Sequence, residues 1–262
     1  PLLGAALRFL LATALLLLGL VYRRRSLRLP DGRRQHLALL AAGSINGLGY
    51  ACVYLAEQTL TGGTTAVICA SSPLFTLLLA RLFGLEPLLP QRLLGMALGL
   101  GGVSVLFADG LELGDGHFHA MVLAGVAATL LWPLYGALLK RWAQHLPPLV
   151  STCYFLFYTA LVLVVLSLVR GEPLPDLRAA PWTAHAGLFY LAVIGSVLAW
   201  TVYLWLLQRL ELSVLSTLGL IQPVIAVAID LILGTAQLRL RGYLGASLVL
   251  LGMALSAWRR GR

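Results

Sequence analysis

The sequence predicts an all-α polytopic membrane protein built from inverted five-helix repeats, and three observations predict it. Hydrophobic residues make up 60% of the chain and charged ones 11%, with a mean hydropathy of +0.90. A soluble domain carries about twice that share of charge. The apolar runs recur along the whole chain, Leu/Ala/Gly-rich and continuous, without the alternation of a membrane barrel. The chain also echoes itself at an offset of 150 residues. Pro73, Gly84, Gly95 and Gly102 find counterparts in Pro223, Gly234, Gly245 and Gly252. Pro removes an amide donor and Gly permits close helix approach, so these positions read as architectural.

Charge and turn residues divide the chain into nine spans: 1–22, 36–55, 64–83, 92–107, 120–139, 149–169, 186–207, 213–233 and 242–258. The fourth and ninth are short for a crossing of ~30 Å at about 1.5 Å per residue, and are expected to extend into their flanks. The first run lacks the basic flank of a cleavable signal peptide. The chain begins with Pro where a complete one begins with Met, which reads as an incomplete N-terminus.

The basic residues orient the spans. Placing the 23–35 loop inside gathers Arg23, Arg24, Arg25, Arg28, Arg33 and Arg34 there. Alternation adds Arg81, Arg92, Lys140, Arg141, Arg209, Arg259, Arg260 and Arg262, against only Arg170, Arg178, Arg239 and Arg241 outside. This is a positive-inside asymmetry, and it puts the C-terminus in the cytoplasm. The net charge of +9 therefore needs no nucleic acid, since arginines at span ends meet anionic lipid headgroups.

Repeat and orientation interact. The offset maps 1–112 onto 151–262, pairs four helices with four, and leaves 120–139 without a mate. Its counterpart would precede residue 1, so the expectation is a missing first helix and two five-helix halves, 1–112 and 113–262. An odd number of helices per half inverts the second half. The loops agree, since 23–35 is Arg-rich while its equivalent 173–185 holds only Arg178.

At these residues the chain resembles the drug/metabolite transporter superfamily, specifically its EamA-like members. The stretch SSPLFTLLLARLFGLEPLLPQRLLGMALGLGGVSVL, Arg8 in ALRFLLA, Trp132 in TLLWPLYGALLKR, and IQPVIAVAIDLILG followed by GYLGASLVLLGMAL carry the likeness. Two departures stand out. The usual Leu-Gly-Glu is here Gly84-Leu85-Glu86, with Ala236 at the second-half equivalent, and the usual Glu-Pro is Gln222-Pro223. The resemblance implies transport by two inverted halves, and efflux as its direction.

Polar groups inside a bilayer are costly, so each is a candidate for a solute pathway. Asn46, Tyr50, Tyr54 and Glu57 lie within about 80° of one another on a helix, giving the second span a polar, aromatic face. Its repeat mate offers Ser196, Trp200 and, one position off register, Tyr203. Cavity lining and interfacial anchoring are the alternatives for these aromatics. Gln222 precedes Pro223 as Ser71 and Ser72 precede Pro73, pairing polar groups with a freed carbonyl. Arg8 either receives a substrate carboxylate or snorkels to the nearer surface. Trp132, beside Pro133, either walls the cavity or packs the core. Asp230 and Glu86 are the candidates for coupling to a proton, with a structural ion pair as the alternative.

Gly95 and Gly99 form GxxxG, and Gly245 and Gly252 repeat the theme, so tight helix contact is expected there, with a homodimer face as a second use. Cys52, Cys69 and Cys153 sit in apolar runs and read as small buried hydrophobes. His117 and His119 lack further ligands, so no metal is expected; no nucleophile elbow or P-loop appears, so neither catalysis nor a cofactor is expected. The expectation is a bacterial inner-membrane secondary transporter of small polar metabolites such as amino acids. Its partners are membrane lipids and a small-molecule substrate. The rival reading is a non-transporting scaffold or a lipid-modifying membrane enzyme.

Overall fold

Residues 2–24, 29, 32–58, 60, 65, 68–106, 116–175, 180–221, 224–225 and 240–257 are described by a computed structural model. Their regular structure is helical throughout, with no strand among the described residues. In chain order the helices are α1 (Leu2–Tyr22), α2 (Gly32–Ala56), α3 (Ser72–Leu82), α4 (Pro90–Leu106) and α5 (Gly116–Trp142). There follow α6 (Pro148–Val169), α7 (Trp182–Ala192), α8 (Ala199–Leu207), α9 (Leu212–Ser216) and α10 (Leu240–Ala257). A six-residue π-helical segment, Val193–Leu198, joins α7 to α8 without a break. Among the described residues, Leu2–Tyr22, Gly32–Ala56, Leu123–Trp142, Pro148–Val169 and Trp182–Leu207 are long and apolar enough to cross a membrane.

Proline starts several of these helices and glycine ends two of them, following the orphan amides and carbonyls of helix termini. Pro90 opens α4, Pro148 opens α6, and Pro73 sits in the first turn of α3. Gly84 closes α3 with φ +65°, its N–H donating to the Arg81 carbonyl and that of Leu85 to the Ala80 carbonyl. A Cβ there would meet open space, so Gly84 is required for its left-handed backbone and not for close approach. Gly171 closes α6 the same way, with φ +64° and the Glu172 N–H donating to the Ser167 carbonyl.

The span expected over 64–83 is interrupted. Ile68 and Cys69 are helical, Ala70 and Ser71 turn, and the helix resumes at Ser72. Pro73 has no amide to give the Cys69 carbonyl, and the chain turns there instead. By contrast α5 runs through Pro133 as one helix.

The chain divides into two compact units that do not follow its sequence halves. One is Pro1–Tyr54 with Leu138–Arg209, the other Leu55–Ala137 with Leu210–Arg262. In the first, α1 packs along α6 and touches α7 and the π segment, and α6 also meets α8. Phe9, Leu39, Phe155, Leu156, Leu163 and Leu207 are buried in its core.

In the second unit α4 packs along α10, and α3 meets α9 and α4. The α4–α10 contact is made by glycines. A Cβ on Gly95 would stand 2.6 Å from the Gly252 carbonyl oxygen, and one on Gly102 would stand 2.7 Å from that of Gly245. The offset of 150 carries Gly95 to Gly245 and Gly102 to Gly252. The contact is therefore its own image, as an interface across a two-fold axis must be.

Candidate functional site

The site grows from a charge in an apolar helix. Arg8 lies on α1, in the first of the membrane-crossing helices, and is only 8% exposed. Its Nε donates to Ser196 Oγ at 2.9 Å, and its Nη2 lies 3.5 Å from the Tyr50 hydroxyl. The guanidinium carbon stands 4.5 Å from the Phe9 ring centroid and 5.5 Å from that of Tyr50. These partners are neutral. They take up part of its hydrogen-bonding capacity, and no described carboxylate compensates its charge.

Ser196 reaches Arg8 because the backbone widens locally. It sits within the π segment, and its hydroxyl also donates to the Leu191 carbonyl five residues back, at 2.9 Å. Single π turns inside long helices occur often at functional positions. One turn on, the Trp200 indole approaches the Tyr50 hydroxyl. Trp200 also packs on Phe155 at 4.8 Å and edge-on to Tyr203 at 5.4 Å. Tyr50 stands edge-on to Phe9 at 5.0 Å and stacks with Tyr54 at 6.0 Å. Tyr50, Tyr54, Trp200 and Tyr203 are half-buried, so this aromatic row lines an accessible surface of the unit.

Asn46, one turn before Tyr50, is fully buried and faces another helix. Its Nδ2 donates to Thr159 Oγ1 at 3.1 Å. The Thr159 hydroxyl in turn lies 2.9 Å from the Phe155 carbonyl and 3.1 Å from that of Gly43. Gly43 and Gly47 allow this approach: a Cβ on Gly43 would fall 2.7 Å from the Phe155 oxygen, and one on Gly47 2.9 Å from that of Thr159. Asn46 therefore ties α2 to α6.

The remaining expected residues separate. Ser72, Trp132 and Glu86 belong to the second unit. Gln222, Pro223, Asp230 and Gly234 lie outside the described residues. Glu86 is engaged in a buried cluster: it pairs with Arg92 Nη1 at 3.1 Å, and accepts from the amides of Leu212 and Ser213 and from the Ser213 hydroxyl. Arg92 also donates to Ser213 Oγ at 2.7 Å and pairs with Glu211. Glu86 thus caps the first turn of α9 as well as holding the α3–α4 corner. Near the N-terminal end of α1, Glu172 accepts from the amides of Leu2 and Leu3 at 3.1 and 2.8 Å. Burial opposes its charge, but the Leu3 and Leu2 amides and the Ser167 hydroxyl hold its carboxyl down to about 2.

Sequence reasoning singles out Arg8, Tyr50 and Trp200, and passes over Phe9, Thr159, Arg92 and Glu211. Arg92 and Glu211 read from sequence as ordinary loop charges. Thr159 gives one signal, a hydroxyl within an apolar run. No group of three His, Cys, Asp or Glu placed to hold a metal occurs among the described residues.

The chain matches the EamA-like transporter family over residues 1–108 and 119–258. It belongs to that family. It is 29% identical over 259 residues to the uncharacterized inner membrane transporter YedA of Escherichia coli (strain K12), covering 97% of this chain and 81% of that protein. It is 31% identical over 251 residues to Protein PecM of Dickeya dadantii, covering 95% and 78%. A protein of known crystal structure shares the fold, with a TM-score of 0.79 at 20% identity over 98% of this chain and 87% of that one. The chain is therefore a multi-pass membrane transporter, and its activity is transport and not catalysis.

Proposed function

We propose that this EamA-family member is a secondary transporter in a bacterial inner membrane, with a cytoplasmic C-terminus. It works by alternating access between two inverted halves, 1–112 and 113–262, and exports small polar metabolites such as amino acids. The observation that carries the reading is the Arg8 cluster: a buried cation, two hydroxyls and an aromatic row on membrane-crossing helices. A bilayer-embedded polar group is retained at a cost, and a solute pathway is what such groups serve. The sequence holds no P-loop, so ion or solute gradients are the driving force. In the second half the lost acid at Ala236 leaves Asp230 as the coupling candidate there. Glu86, held by Arg92 and two amides, is a structural anchor.

Engineered Tyr50→Cys and Trp200→Cys variants of the complete protein in membranes test the pathway. Each is expected to react with a membrane-impermeant thiol reagent, and addition of solute is expected to slow the reaction. Lack of reaction at both sites from both sides of the membrane would favour a scaffold. Export measured in vesicles with and without a proton gradient tests coupling, which an unchanged rate would remove.

A further inference from the structure

Within its unit, Arg8 is the buried charge among the described residues. The unit's one described acid is Glu172, which is held by the Leu2 and Leu3 amides about 9 Å of helix away. Ser196 occupies Nε, Tyr50 is a long contact to Nη2, and no described residue hydrogen-bonds Nη1. A membrane helix that needed only packing here would carry Leu, because an uncompensated buried guanidinium is costly. The π segment is a second, independent sign. Its departure from α-geometry delivers the Ser196 hydroxyl to Nε, and among the described residues only the long Tyr50 contact reaches the Nη groups.

We infer that the Nη edge of Arg8 receives the carboxylate of the solute, and that the solute is a monocarboxylate with an apolar or aromatic body. This rests on the transport reading and narrows it. Two guanidinium N–H groups match a carboxylate in a two-pronged, charge-assisted bond, a geometry a lysine does not offer. Tyr50 and Trp200 present ring faces and edges for the body of the solute. The one described carboxylate of this unit, Glu172, is held at the far end of α1 by the Leu2 and Leu3 amides, so a solute ammonium group beside Arg8 meets no described carboxylate and a zwitterion gains less than a simple acid. The site selects for anionic charge, and an amino acid's α-amino group is dispensable.

The test uses the complete protein in liposomes and needs no variant. Phenylglyoxal modifies accessible guanidinium groups, and peptide mass spectrometry reads the extent at Arg8. At about ten times its Kd, 3-phenylpropionate is expected to slow modification of Arg8 about tenfold, while 3-phenylpropionamide and phenylalaninamide leave it unchanged. Equal protection by acid and amides overturns the inference. So does an absence of protection by the acid, or an Arg8 that never reacts. Flux of labelled 3-phenylpropionate, measured against protein-free liposomes, separates this from the transport reading. Selective protection without flux keeps the anion site and removes transport of such solutes. Protein-dependent flux of the neutral amide equal to that of the acid removes the anion site and keeps transport.

Discussion

The contact of α2 with α6 and that of the π segment with α1 are one contact seen twice, and they differ where it matters. The 150-residue offset carries Gly43 to Val193, Asn46 to Ser196 and Gly47 to Val197. On the facing helices it relates Arg8 to Tyr158 and Phe9 to Thr159. On one side two glycines let the helices close to near backbone contact, sealed by Asn46 and Thr159. On the other, valines stand at the two glycine positions, the backbone is π-helical, and Ser196 accepts from a guanidinium. The scaffold is duplicated and the chemistry is not.

The largest expected effect comes from importing valine into the tight seam. Gly43→Val places a side chain where even a Cβ would lie 2.7 Å from the Phe155 oxygen and the Tyr158 Cβ. Overpacking of this kind costs about 3 kcal/mol or more, and size-exclusion of the detergent-solubilised protein should show loss of the folded peak. Next is Arg8→Met, which removes the site's charge while filling a similar volume. Solute flux should fall roughly a hundredfold, equivalent to about 3 kcal/mol of charge-assisted binding. The melting temperature should hold or rise, because replacing a buried ion by an apolar group is often neutral or stabilising. A collapse in stability with no specific loss of flux would instead make Arg8 a packing residue.

Thr159→Val is smaller. It strips the Asn46 amide of its partner, at an expected cost of about 1 kcal/mol. The double variant Asn46→Leu/Thr159→Val should recover part of that loss in a double-mutant cycle of thermal stability. Additive losses would dissolve the seam as a unit. The smallest effect is at Glu172, which is partly exposed and screened by solvent. Its carboxyl lies at about 2, against 4.5 without its partners. The stability it contributes is therefore present in full above pH 4.5 and is lost as the pH falls through 2. The melting temperatures of the wild type and Glu172→Gln should differ at neutral pH and converge towards pH 2.

Much of this was legible in the sequence, for a physical reason: a bilayer imposes long apolar helices, and Pro and Gly punctuate them. Arg8 was legible as a charge out of place, and Gly95, Gly102, Gly245 and Gly252 as close-approach positions. Ser71, Ser72 and Pro73 marked a freed carbonyl without showing that the chain turns at Ala70–Ser71, and the π segment shares the composition of an ordinary helix. The partnership of Arg8 with Ser196 spans 188 residues and follows from tertiary packing, which no local pattern encodes. Gly84 shows the converse case. Its position was marked by the repeat, but the reason for it, a left-handed helix cap, was visible only in the backbone.

The interleaving of the two units has a consequence for how the protein comes into being. The described residues of the first unit have all been synthesised once Arg209 is added, so these helices can settle together while the ribosome is still at work. The second unit has no such opportunity. The glycine face of α4 is made early and has no α10 to close on until Leu240–Ala257 have been synthesised. Glu86 and Arg92 likewise wait for Glu211 and Ser213. Truncation before α10 therefore leaves the glycine face of α4 without the surface it packs on.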